Sequence, residues 1–170
     1  MVRGSGGGLV RRRCRRLLAC AGALALLGAG PPAPVSLRTL EGGEARVARG
    51  EGPPDLVLHF WATWCPECGA ELPELERAAR ACDPARVRVI AVDVDEDAAT
   101  ATRYLADRGL RLDVLIDPGG KAWRAAGLWG LPSNLLWTAE GVTTSEGPSS
   151  AKEWRARLAG LGCTGTADAR

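Results

Sequence analysis

Two cysteines separated by two residues, Cys65 and Cys68, lie in the stretch Trp61-Ala62-Thr63-Trp64-Cys65-Pro66-Glu67-Cys68. The apolar run Leu56 to Trp61 precedes them, and a segment of helical periodicity follows. A Cys-x-x-Cys pair between a buried strand and a helix reads as redox chemistry. At a helix start the unpaired backbone N–H groups and the helix dipole stabilise a thiolate, lowering a thiol pKa from about 8.5 into the ~3.5–7.5 range. Cys65, first and nearer solvent, is expected to attack a substrate disulfide. Cys68, a turn into the helix, is expected to resolve the mixed disulfide that results. The competing reading is half of a structural zinc site, which needs four ligands. Cys82 and Cys163 stand alone and His59 is the single histidine, so no second ligand pair completes one. No metal and no cofactor is expected. Glu67, between the thiols, reads either as an acid opposing thiolate formation or as a solvated residue favourable to the helix dipole.

The elements that position this pair follow from local pattern. Val35 to Leu40 alternates apolar and polar, Glu41-Gly42-Gly43-Glu44 is a turn, and Ala45 to Ala48 completes a short hairpin. Leu56 to Trp61 is a continuous apolar run, suited to a strand buried on both faces. From Pro66 to Ala81 apolar residues recur at helical spacing, with proline where a first turn tolerates it. Arg86 to Val94 is the next strand, Asp95 to Arg108 a helix closed by Gly109, and Leu112 to Ile116 a third strand. Residues 121–127 make a short helix, Ser133 to Thr138 and Val142 to Ser145 a hairpin, and Ala151 to Leu161 a final helix. This order describes an α/β domain: a mixed sheet flanked by helices, with parallel strands, an antiparallel edge and an N-terminal β-hairpin. One domain is expected over residues 33–163, with 164–170 a disordered tail.

The charge of the chain is divided. The formal net charge is +2, yet Arg3, Arg11, Arg12, Arg13, Arg15 and Arg16 face no acid within residues 1–30, and the remainder holds 16 basic against 20 acidic residues. No basic stripe outside the leader supports nucleic-acid binding. Arginines followed by the uncharged stretch Leu17 to Gly30 form the n-region and h-region of an export signal. As a helix that stretch would span about 21 Å, short of a ~30 Å hydrocarbon core, which favours cleavage. Pro31, directly after Gly28-Ala29-Gly30, is awkward for a peptidase and favours a retained anchor. Both outcomes stay open for residues 1–32. Cys20 precedes the apolar run where a lipid-attachment cysteine should follow it, and a mitochondrial presequence fits poorly with an uninterrupted apolar run and scarce serine. The expected location is extracytoplasmic, periplasmic in kind, with residues 17–30 as the membrane attachment if they are retained.

His59 to Cys68 followed by Glu71-Leu72-Pro73 resembles the TlpA/ResA branch of thioredoxin-like proteins, the exported reductases associated with cytochrome maturation. The resemblance continues through Ala33-Pro34, Leu40-Glu41-Gly42, Val89 to Val94, Leu115 to Gly120, Gly130 to Leu136 and Glu140-Gly141, nearly all of residues 33–161. It implies a thioredoxin-like fold, a redox disulfide between Cys65 and Cys68, protein thiol or disulfide substrates, and a membrane electron donor of the thiol–disulfide type. It implies that Pro132 is a cis-proline facing the cysteines and that the Leu131 backbone pairs with the substrate chain. From sequence alone Pro132 is an ordinary turn proline, since cis X–Pro bonds are about 5–6% of the total. Trp64 and Pro66 are expected beside the bound substrate. His59 occupies the place where thioredoxins carry a buried Asp and TlpA-like proteins often an Asn, and Glu71 matches the buried acid of the ResA pattern. Both are therefore candidate proton acceptors when Cys68 attacks, against the alternative of a core histidine and a helix-solvating acid.

The resemblance does not fix the direction of electron flow, because potentials ~150 mV apart occur on this architecture. A reductant is the leading reading, with a disulfide-forming oxidant as alternative. A copper-handling chaperone of the same fold would need an accessible histidine, and His59 is predicted inside a strand. A peroxidase lacks a matching threonine-proline-cysteine pattern. Cys82 and Cys163 follow the motif helix and the last helix. They are read foremost as independent small apolar residues, with a structural bridge as the alternative that export would permit.

Overall fold

The computed structural model describes residues 34–163. The export or anchor segment expected at 1–32 and the tail expected at 164–170 lie outside them. Seven strands form one sheet in the order β2-β1-β5-β4-β3-β6-β7. The strands are β1 (Val35–Arg38), β2 (Glu44–Val47), β3 (Asp55–Trp61), β4 (Val87–Val94), β5 (Asp113–Asp117), β6 (Ser133–Thr138) and β7 (Gly141–Glu146). The helices are α1 (Pro66–Ala79), α2 (Ala98–Asp107), α3 (Lys121–Ala125) and α4 (Ala151–Gly160).

Strands β3, β4 and β5 run parallel because each pair is joined through a helix, whereas hairpins make β1–β2 and β6–β7 antiparallel. β3 lies between β4 and β6, so both its edges are paired and both its faces are covered. That is why Leu56 to Trp61 reads as unbroken apolar sequence rather than alternation. Alternate residues feed two cores. Val57, Trp61, Val89 and Ala91 pack with Leu72 and Leu75 of α1, Ala101 and Leu105 of α2, and Trp154 and Leu158 of α4. Leu58, Phe60, Ile90, Val92 and Leu115 form the opposite core with Leu37, Val47, Leu128 and Trp137.

The expected order of elements is the observed one, with helix ends shifted. α2 starts at Ala98 rather than Asp95, because Asp97 caps it by accepting from the Thr100 amide at 2.9 Å while Asp95 sits at φ 66. α4 starts at a capping box in which Ser150 and Glu153 satisfy each other's backbone N–H. The foremost reading of Cys82 and Cys163 is corrected. They form a disulfide, S–S 2.11 Å and Cα–Cα 4.2 Å, across 81 residues of sequence. α1 and α4 pack side by side on one face of the sheet, which brings the residues after their C-terminal ends together. Among the described residues no helix is long and apolar enough to cross a membrane.

Candidate active site

Buried β3 ends at Trp61, and Ala62 to Trp64 carry the chain to Cys65, the N-cap of α1. Cys65 has extended backbone at φ −95 and ψ 106, and Pro66 occupies the first turn, where its missing N–H leaves no helical bond unmade. The Cys68 amide donates to Cys65 Sγ at 3.2 Å. This is one of the free N–H groups of the helix start, so it also stabilises charge on Cys65 when the sulfur is a thiolate. The two cysteines are disulfide-bonded, S–S 2.09 Å and Cα–Cα 5.3 Å. Both cysteines are buried, Cys65 at 4% exposure and Cys68 at 0%. Trp64, 65% exposed, stands beside the disulfide, and Pro66 and Glu67 are exposed as well.

The Leu131–Pro132 peptide is cis. Leu131 is half-buried against both cores and Pro132 is buried. Glu146 of β7 holds the approach to this proline by accepting from the Trp129 amide at 2.6 Å and the Gly130 amide at 3.1 Å. Those two bonds hold its carboxyl below the usual carboxylate range. Trp129 itself is 76% exposed. Sequence reasoning did not find Glu146, whose partners lie 16 and 17 residues away.

His59 points from the middle of β3 into the core shared by α1 and α4 and is wholly buried. Its Nδ1 faces Asn134 Oδ1 at 2.8 Å, so Nδ1 carries the hydrogen and Nε2 presents a lone pair with no partner. The Trp154 ring meets His59 edge-on, centroids 5.6 Å apart. Burial pushes the imidazole down to about 4, the Asn134 bond opposing and Arg157 adding to the shift, so the ring is neutral at neutral pH. Glu71, one turn further along α1 than Cys68, is 3% exposed. Its Oε1 accepts from Trp154 Nε1 at 2.6 Å and its Oε2 has no partner in hydrogen-bond geometry. Burial raises its carboxyl above the ordinary carboxylate range, opposed by Ser149 and Trp154. Glu71 is thus a buried acid and not a solvated helix-start residue. His59 and Glu71 are not directly bonded: Trp154 of α4 touches both. Neither Trp154 nor Asn134 was singled out from sequence, because nothing local marks a tryptophan 83 residues from Glu71 as its partner.

Among the described residues no group of three or more His, Cys, Asp and Glu side chains is placed to hold a metal ion. The arrangement can do two-electron sulfur chemistry: a sulfur at a helix start, a second sulfur one turn into the helix and bonded to the first, and a buried acid of raised proton affinity on the same helix.

Fold and site together define a thioredoxin-like protein with a Cys-x-x-Cys pair at the start of its first helix. The AhpC/TSA family matches residues 30–145, and the chain belongs to that family. Thiol–disulfide oxidoreductases are among its relatives. Thiol-disulfide oxidoreductase ResA of Halalkalibacterium halodurans is 34% identical over 107 residues, 62% of this chain and 59% of that protein. Thiol:disulfide interchange protein DsbE of Vibrio cholerae is 33% identical over 109 residues, 62% of this chain and 57% of that protein. The matched region therefore spans less than two thirds of these relatives. A secreted Mycobacterium tuberculosis disulfide oxidoreductase homologous to E. coli DsbE superposes with TM-score 0.64 at 28% identity, covering 74% of this chain and 95% of that one. StoA from Bacillus subtilis shares the fold at TM-score 0.62 and 22% identity.

Proposed function

We propose that the protein is an exported thiol:disulfide oxidoreductase that reduces disulfides in protein substrates through Cys65 and Cys68. The observation that carries this reading is the Cys65–Cys68 disulfide at the N-terminus of α1, at the end of a buried strand. The Cys65 thiolate attacks a substrate disulfide, forming one mixed S–S bond and releasing the other substrate sulfur as thiolate. Cys68 then loses its proton, attacks Cys65 Sγ and releases the second substrate sulfur, so two electrons pass from the dithiol to the substrate. Trp64, Pro66, Leu131 and Pro132 serve as the peptide-docking rim. A thiol–disulfide donor at the membrane returns the electrons, and cytochrome maturation is the role that the resemblance to TlpA/ResA proteins implies.

Proton affinities rank the two candidate acceptors for the Cys68 proton. Glu71 is raised and His59 is depressed to about 4, so Glu71 accepts and His59 acts as a neutral polar neighbour. The buried position of His59 argues against the copper-chaperone reading, which needs an accessible imidazole. Substrate trapping tests the reading: Cys68→Ala should accumulate mixed disulfides with a reducible protein such as insulin, and Cys65→Ala should capture none. Normal turnover by Cys68→Ala, or trapping by Cys65→Ala alone, would reverse the assignment. Copper titration of the reduced protein, if it revealed tight stoichiometric binding without insulin reduction, would favour the chaperone.

A further inference from the structure

A second buried acid lies near the site and takes no part in the chemistry above. Asp93, near the C-terminal end of β4, is 0% exposed, and neither carboxylate oxygen meets a partner in good hydrogen-bond geometry. In the sheet it stands across from Trp61 on β3 and Ile116 on β5. Asp95 turns the chain through φ 66 directly afterwards, and the turn places the Glu96 carboxyl within hydrogen-bonding reach of Asp93. Glu96 in turn grips the loop that carries the reactive cysteine. Its Oε2 accepts from the Thr63 amide at 2.6 Å and its Oε1 from the Thr63 hydroxyl. Thr63 is two residues before Cys65.

We propose that the Asp93 carboxyl donates a hydrogen bond to the Glu96 carboxylate, and that the pair is a positioning device that fixes the Thr63–Cys65 loop for thiol–disulfide exchange. Two carboxylates have no donor between them, so a hydrogen bond joins these side chains only when one holds a proton. An unpaired carboxylate without exposure is the costly alternative, and a buried acid takes a proton instead. Of the groups that bear on Asp93, the Glu96 backbone amide opposes the proton by donating to the carboxylate, and burial and the neighbouring acids outweigh it. From the β4–α2 connection come Glu96 and, more weakly, Asp97, both acids. β3 and β5 present Trp61 and Ile116, and α2 presents Tyr104 packed on Trp61. Burial, then Glu96, push the Asp93 carboxyl up to about 8. Near neutrality Asp93 therefore donates, and Glu96 is held in the orientation that binds both Thr63 donors. When Asp93 loses its proton, repulsion between the two carboxylates displaces Glu96 and releases the loop.

The device rests on the exchange reading at Cys65, and its test separates the two. Nuclear magnetic resonance of the full chain follows the Thr63 amide between about pH 6 and pH 9.5, and in parallel mixed-disulfide formation by the reduced protein is timed and corrected for thiolate fraction. The Thr63 resonance should move with the Asp93 titration, and the corrected rate should fall about fivefold across the same midpoint, the equivalent of one hydrogen bond. In Asp93→Asn the amide donates to Glu96 at every pH, so both transitions should vanish. In Thr63→Ala, which removes the hydroxyl contact, the rate should be lowered even at neutral pH. A Thr63 amide that does not move in the wild type, transitions that persist in Asp93→Asn, or a rate that ignores the amide would each overturn the proposal. If Asp93→Asn does not fold, the wild-type amide and rate profiles decide it alone. Failure of the exchange reading looks different: the wild type then forms no mixed disulfide at any pH, while the Thr63 amide still reports on the acid pair.

Discussion

Replacing Asp93 by Asn should make the protein more stable in alkaline solution than in acid, relative to the wild type. The folded Asp93 holds its proton up to about pH 8, whereas its ordinary value is 3.8. Between those values the native state binds one more proton than the unfolded chain, so stability falls as pH rises, by about 1.4 kcal/mol per unit. The contribution is complete below the unfolded value and is lost by the time pH passes the folded one. Asparagine is nearly isosteric and does not titrate. The difference between variant and wild type therefore isolates this one group, and other ionisations cancel. From pH 6 to pH 8 the difference should change by about 2.3 kcal/mol in favour of the variant, reaching about 2.7 kcal/mol by pH 9.5 and then levelling off. That is a large part of a typical 5–15 kcal/mol stability, within reach of urea unfolding of the oxidised protein at several pH values. Equal m-values in the two proteins would show that the unfolded states match. His59 supplies a control of opposite sign. Its folded value of about 4 lies below the ordinary 6.5, so its contribution is lost as pH falls through that window, and Asp93→Asn should leave that acid limb unchanged. A variant-minus-wild-type difference flat from pH 6 to pH 9 would mean that folded Asp93 is ionised near neutrality, and the reasoning would fail.

Two further outcomes are expected. Glu71→Gln should slow resolution of the mixed disulfide by about 10²-fold or more and remove the acid limb of its pH profile, whereas His59→Asn should leave that limb in place; single-turnover kinetics with a trapped substrate reads both. Cys82→Ser together with Cys163→Ser should lower stability by up to about 4.5 kcal/mol, the chain-entropy value for a loop of 81 residues, while leaving the Cys65–Cys68 pair able to exchange; denaturant unfolding and insulin reduction measure the two effects.

What the amino-acid order determined by itself is everything set by near neighbours. The unbroken apolar run of β3, the helical spacing after Pro66, the turn glycines and the two-residue gap between Cys65 and Cys68 are local patterns, and they placed the reactive pair at the start of α1. Resemblance to relatives extended this to the cis bond at Pro132 and the burial of Glu71, which no local pattern announces. Only the tertiary structure decided who meets whom across the fold. Trp154 reaches Glu71 from 83 residues away, Asn134 reaches His59 across β3 and β6, and Glu96 reaches Thr63 across β3 and β4. Cys82 and Cys163 were visible as cysteines and invisible as a pair, because a bridge depends on the distance between helix ends and not on residue type. Asp93 reads in sequence as one of several acids in Asp93-Val94-Asp95-Glu96-Asp97. Burial beside a second carboxyl sets it apart, and burial is a property of the packed sheet. A side chain's chemistry is fixed by its atoms, but its proton affinity and its partners are fixed by what the fold removes from water around it.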